Sequence, residues 1–213
     1  MDVSPLPAIV PIFPLSGVLL LPRSPLPLHI FEPRYRAMAR DALAGDGYIA
    51  MVQPSDSANQ AANPAIYTVA CLGKIINSEE LDDGRYNIIL RGHSRLRVVQ
   101  ELPLKDGYRR IEADYSAFRS DRDVPTDSVD RDAVIAEVER YLERRQLQAN
   151  WDNLSKANDE AVVNALSIAC PFSPQEKQAL LEADNLTDRA DLIVALCQMD
   201  ARGTDGLNPT ALH

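Results

Sequence analysis

Leu26-Pro27-Leu28-His29-Ile30-Phe31-Glu32-Pro33-Arg34-Tyr35 runs a strand directly into a helix. Leu26 to Phe31 reads as the strand. Pro33 suits the first helical position, where an N–H would lack a partner anyway. Tyr35, Met38, Ala39, Ala42 and Leu43 follow at helical spacing, and Gly45 is placed to end the helix with positive φ. Upstream, Ala8 to Phe13 reads as a strand with an edge-type proline, and Pro14, Pro22, Pro25 and Pro27 keep the connection extended or turning. Downstream, Tyr48 to Val52 is another strand and Ser55 to Pro64 a polar loop. Tyr67 to Ile76 and Arg85 to Leu90 form a hairpin around Asp83-Gly84, a two-residue turn signal. Arg95 to Leu102 and Arg109 to Tyr115 complete a strand-rich half, with Arg95 and Arg97 on one wet face opposite Leu96 and Val98.

The period changes further along. Residues 119–132 are polar and contain proline, which marks a linker or exposed crossing. Val134, Val138, Tyr141 and Leu142 then make one helical stripe, and Val162, Val163, Leu166 and Ala169 a second. Ser173-Pro174-Gln175-Glu176 is a capping box with proline at the first helical position. Thr187 is placed to cap a last helix through Leu192, Leu196 and Met199. The pattern predicts an α+β chain: a β-rich part over 1–118, a linker over 119–132 and a helical bundle over 133–213.

The net charge of −9 is unevenly spread. Residues 1–118 hold 12 Lys+Arg against 13 Asp+Glu, whereas residues 119–213 hold 10 against 18. An acidic second half repels phosphate backbones and anionic membranes. No apolar run approaches the length of about 20 residues that spans a bilayer, and the start lacks the basic region of a secretory signal. Cys71, Cys170 and Cys197 each sit in an apolar run without CxxC spacing. They read as reduced, packed thiols in a cytoplasmic protein.

Pro11-Ile12-Phe13-Pro14-Leu15, Leu20-Leu21-Pro22-Arg23 and Leu26 to Tyr35 together resemble the opening of the Lon protease amino-terminal domain. So does Gly84-Arg85-Tyr86-Asn87-Ile88-Ile89-Leu90-Arg91-Gly92, and Glu176 to Glu182 is similar to the segment that closes that domain. The resemblance implies a PUA-like, partly closed β-barrel with one helix, followed by a C-terminal bundle of about four α-helices. It also implies a role in holding unfolded or tagged polypeptides, with the chain stopping where the coiled linker and motor of Lon begin.

Lon activity needs an ATPase and a serine–lysine dyad. None of the nine glycines builds a phosphate-cradling G-x-x-x-x-G-K-[ST] loop, and Ser155-Lys156 has no context that makes it a dyad. His29 and Glu32 read as a hydrogen-bonding strand end and a helix-start charge rather than metal ligands. No cofactor, metal or catalytic residue is expected. A hydrolase using Cys71 or a serine lacks an identifiable base. RNA binding through Arg91, Arg95, Arg97, Arg109 and Arg110 is disfavoured because no exposed aromatics interleave with them. The reading that remains is a non-catalytic polypeptide-binding module. Its candidate contacts are the apolar or aromatic Phe31, Tyr35 and Tyr86, with Arg34 and Arg91 fixing carbonyls or acidic side chains. The alternative is an adaptor that docks a folded protein partner through its acidic helical half.

Overall fold

The computed structural model describes residues 5–55, 63–126, 128–148, 151 and 156–205, the last four by backbone alone. Six strands form one sheet: β1 (Ile9–Pro14), β2 (Pro25–Ile30), β3 (Tyr48–Val52), β4 (Val69–Glu80), β5 (Tyr86–Lys105) and β6 (Tyr108–Asp114). Helix α1 (Pro33–Ala44) follows β2, and a short 3-10 helix (Ser116–Arg122) follows β6. Helices α2 (Arg131–Arg144), α3 (Asp159–Ala169), α4 (Pro174–Glu182) and α5 (Leu186–Asp205) complete the chain. The α+β class expected from the sequence is what the structure has.

The strand order is β2-β5-β4-β3-β1-β6, and a further pairing of β5 with β6 curls the sheet back on itself. The result is a partly closed barrel rather than a clean one, with β2 outside the ring. β1 and β3 run parallel while the other pairs are antiparallel. Val10, Ile12, Ala50, Val52, Ala70, Leu72, Leu96 and Ile111 fill the interior. Every ring strand contributes, on the alternate positions that a strand sends to one face.

One long strand makes the closure possible. β5 runs for 20 residues, pairing with β2 and β4 through its first half and with β6 through its second. The sequence suggests a break near Gly92, but the strand continues there. The glycine serves a close approach instead: an added Cβ would lie 1.9 Å from the Leu21 carbonyl oxygen. Register shifts at Ile76 of β4 and Val99 of β5 bend the ladder and turn both side chains to solvent.

Local details refine the expectations. Pro33 begins α1, and Tyr35, Met38, Ala39 and Ala42 are buried. Gly45 ends it at φ −109, and the left-handed residue is Gly47, whose N–H donates to the Ala42 carbonyl. The β4–β5 connection is a three-residue loop closed by Leu81 and Arg85, with positive φ at Gly84 only. The two-residue turn is Asp106-Gly107, both at positive φ, between β5 and β6. The capping box forms: Ser173 N–H donates to Glu176 Oε2 at 2.7 Å and Glu176 N–H to Ser173 Oγ at 3.2 Å. The α5 cap is Asn185, not Thr187, because Asn185 Oδ1 accepts from Asp188 N–H at 2.8 Å.

Two compact units divide the chain. One holds residues 1–124 and 173–181, the other 125–172 and 182–213. The division expected from the sequence differs in two respects. Helix α4 groups with the sheet, held there by a row of polar contacts: Gln178 Nε2 donates to the Val69 carbonyl at 3.1 Å, Gln53 Nε2 to the Pro174 carbonyl at 3.0 Å and Lys177 Nζ to the Gly17 carbonyl at 3.0 Å. Residues 119–124, read as the start of a linker, also belong to the sheet unit. In the second unit α2, α3 and α5 pack around Val138, Val163, Ile193 and Cys197, with the Tyr141 and Phe172 rings 5.5 Å apart. Asp130 and Asn158 cap α2 and α3.

The close crossing at Gly92 makes a test of the fold. Gly92→Ala forces a methyl into backbone and is expected to cost about 3 kcal/mol, read as a lowered urea midpoint. An unchanged midpoint would contradict the crossing.

Candidate functional site

Arg95 was expected to be wet, yet its side chain keeps only 4% exposure. It is covered because Asp121 of the 3-10 helix folds onto it. Asp121 accepts from the Arg95 backbone N–H at 2.8 Å and from Nη2 at 2.8 Å, and Nε lies 2.9 Å from its Oδ2. The remaining Nη1 donates to the Leu181 carbonyl at the end of α4, 3.2 Å away. Arg95 and Arg97 share a strand face, as expected, and both stack on Phe118, at 4.8 and 5.8 Å from the ring centre.

Folding 116–122 onto the sheet in this way forms one wall of an open cleft of about 800 Å³ within the sheet unit. Its apolar side is Leu6, Ala113 and Tyr115, which also pack against the sheet core. The Tyr115 hydroxyl donates to the Pro7 carbonyl at 2.9 Å, and burial raises its pKa above the ordinary phenol value. The charged side is Arg23, Arg91, Arg119 and Arg122, with Asp114, Asp121 and Asp123. Arg23 reaches across to donate to the Asp121 carbonyl from a left-handed backbone at φ 65. Asp114 accepts from Ser116 N–H and Oγ, both at 2.8 Å, and these bonds hold its carboxyl below the usual range.

The five sequence-proposed contacts do not come together. Arg91 alone lines this cleft. Tyr86 is buried opposite Ile30 and borders a smaller hollow of about 360 Å³ with Arg36, Arg40 and Glu80. Tyr35 is buried against Phe13 with ring centres 4.4 Å apart, and the Arg34 guanidinium lies over the Tyr35 ring, 4.5 Å from its centre, while pairing with Glu32 at 3.0 Å. Phe31 is 60% exposed and stacks beside His29. Sequence reasoning missed Tyr115, Phe118 and Arg119. Their one visible signal is an aromatic pair just ahead of the polar stretch.

Other chemistry is not assembled among the described residues. His29 lies 2.8 Å from Asn87 Oδ1 and 3.2 Å from Arg85 Nη1. No group of three or more His, Cys, Asp or Glu there could hold a metal ion. Ser155 of the Ser155-Lys156 pair lies outside the described residues, as do 56–62 of the expected loop. Arg109, one of the five arginines weighed for RNA, is buried and paired with Glu101 at 2.6 Å. All three cysteines are buried thiols, none of them in a disulfide. Burial pushes the Cys197 thiol from 9.0 up to about 12, away from the reactive thiolate.

A family model described as the ATP-dependent protease La (LON) substrate-binding domain matches residues 9–198. The chain belongs to this family. It is 25% identical over 203 residues to the Lon protease of Azorhizobium caulinodans, covering 89% of this chain and 22% of that one. It is 27% identical over 184 residues to Lon protease 2 of Syntrophobacter fumaroxidans, covering 83% and 22%. The chain thus spans between a fifth and a quarter of the length of these curated relatives. In fold it is similar to a Lon N-terminal domain protein from Xanthomonas campestris, with a TM-score of 0.61, 23% identity, and coverage of 88% of this chain and 97% of that one. The N-terminal domain of the Mycobacterium avium complex Lon protease gives 0.59 at 16% identity, covering 89% and 98%. The Lon resemblance read from Leu26–Tyr35 and Gly84–Gly92 is therefore correct.

Two measurements check this description. Asp121→Ala leaves the Arg95 charge buried without its carboxylate and is expected to cost about 3–5 kcal/mol. Replacing both residues by apolar ones should cost less, as read by urea unfolding. Ellman's reagent should modify none of the three thiols at neutral pH until the chain unfolds. Because the folded Cys197 thiol keeps its proton up to about 12, its contribution to stability is full below 9 and is lost as pH rises from 9 towards 12.

Proposed function

We propose that this chain is a non-catalytic module that binds extended polypeptide segments in the cleft bordered by Leu6, Tyr115 and Arg91. The observation that carries this reading is the pairing of an apolar wall with the exposed Arg91 and Arg119 in one open cleft, in a member of the Lon substrate-binding family. An apolar wall with a few placed polar groups suits a flexible ligand. Catalysis needs more: the hydroxyl–carboxylate pair at the cleft, Ser116 with Asp114, is a local turn whose carboxyl is held below the usual range and is a weak base. Ser94, the cleft's buried hydroxyl, donates instead to the Arg95 carbonyl at 2.9 Å.

Groove binding fits better than strand addition. β2 is the strand outside the ring, but Pro25 and Pro27 bring no N–H to its edge. The clients inferred are unfolded or tagged polypeptides, met in a reducing cytoplasm where three buried thiols stay reduced. No helix among the described residues is long and apolar enough to cross a membrane.

Fluorescence anisotropy with labelled, unfolded peptides tests the proposal. Saturable one-to-one binding in the micromolar range is expected, with no peptide cleavage and no ATP hydrolysis by the purified chain. A flat titration at high micromolar protein, or measurable turnover, would overturn it.

A further inference from the structure

The charges around the cleft differ from those of the chain as a whole. The protein carries −9, yet Arg23, Arg91, Arg119 and Arg122 converge here. Of the three aspartates at the same place, Asp121 is already neutralised by Arg95 from behind. The carboxylates left are Asp114, which accepts from Ser116 and lies in the field of Arg97 and Arg119, and Asp123, so arginines outnumber aspartates along this lining. Among the described residues neither the Arg91 nor the Arg119 side chain makes a hydrogen bond or an ion pair, and both residues are exposed. A guanidinium presents a fixed fork of donors that matches a carboxylate in two parallel bonds.

We propose, building on the polypeptide-binding reading, that the cleft selects acidic segments. Carboxylates of the bound chain meet Arg91 and Arg119 at the rim, while its apolar side chains lie against Leu6, Ala113 and Tyr115. The wider field sharpens the choice. In a protein of net negative charge, a lining where arginines outnumber aspartates draws an acidic segment towards it. A basic segment would be held by the acidic surface at large and repelled at the cleft. Nucleic acid shares the negative charge but also needs aromatic faces to stack on. Phe118 is buried under two guanidiniums and His93 already meets the Tyr48 ring, so among the described residues the cleft offers no row of open aromatic faces for successive bases.

The test uses the full chain and fluorescein-labelled unfolded peptides of equal length and apolar content, one acidic, one neutral and one basic. The acidic peptide should bind tightest, and added salt should weaken it most. Arg91→Ala with Arg119→Ala should lower its affinity roughly tenfold, a clearly larger loss than the same variant shows for the neutral peptide. Arg91→Glu with Arg119→Glu should reverse the order between acidic and basic peptides. Both arginines are exposed, and circular dichroism of each variant is the control for its fold. Equal affinity for acidic and neutral peptides, or no loss in the alanine variant, overturns the selectivity and leaves polypeptide binding standing. Failure of every peptide to bind overturns both. Tighter binding of a single-stranded RNA of matched charge overturns the choice of ligand.

Discussion

Arg95 takes a permanent charge into a site almost sealed from water, and the groups that answer it come from distant parts of the chain. Asp121 supplies the carboxylate and the Leu181 carbonyl satisfies Nη1. An uncompensated buried charge costs several kcal/mol, so the arrangement holds only with its partners in place. Around that requirement the 3-10 helix lies down on β5, Phe118 is caught beneath Arg95 and Arg97, and the end of α4 is drawn to the sheet. The cleft follows, because its second wall is the segment that Asp121 anchors.

The same dependence explains what could be read from the sequence. The β2–α1 junction was legible because alternating apolar residues and a proline at the first helical position act locally. The capping box at Ser173–Glu176 was legible for the same reason. Asp121 was not: a carboxylate in a run of Arg, Ser and Asp looks solvated, and only a folded sheet brings Arg95 to it. The continuity of β5 between Leu90 and Arg95 was hidden in a related way. A glycine in a strand weakens the pattern locally, yet here it admits the Leu21 backbone and lets β5 continue to its pairing with β6.

The candidate site divides along the same line. Arg91 was visible as an exposed arginine on a strand. Tyr35 and Tyr86 were visible as aromatics, but the fold buries both: one packs on Phe13 and the other lies on β5 opposite Ile30 of β2. Tyr115 and Phe118 gain their place only from long-range packing. What the site offers is complementarity: an apolar wall, a rim of forked donors and a local reversal of charge. Such a surface can hold a chain and release it, which is the task a substrate-binding domain would have.

The central claim is that extended polypeptide occupies the cleft built on the Arg95–Asp121 pair. Backbone amide chemical shifts of the isotopically labelled protein, followed as an unfolded acidic peptide is added, test it most directly. The account predicts that the shifting amides concentrate at Arg91–Ser94 and Ala113–Arg122. Shifts centred on α1, on β2 or on the helical unit, with those stretches silent, would contradict it.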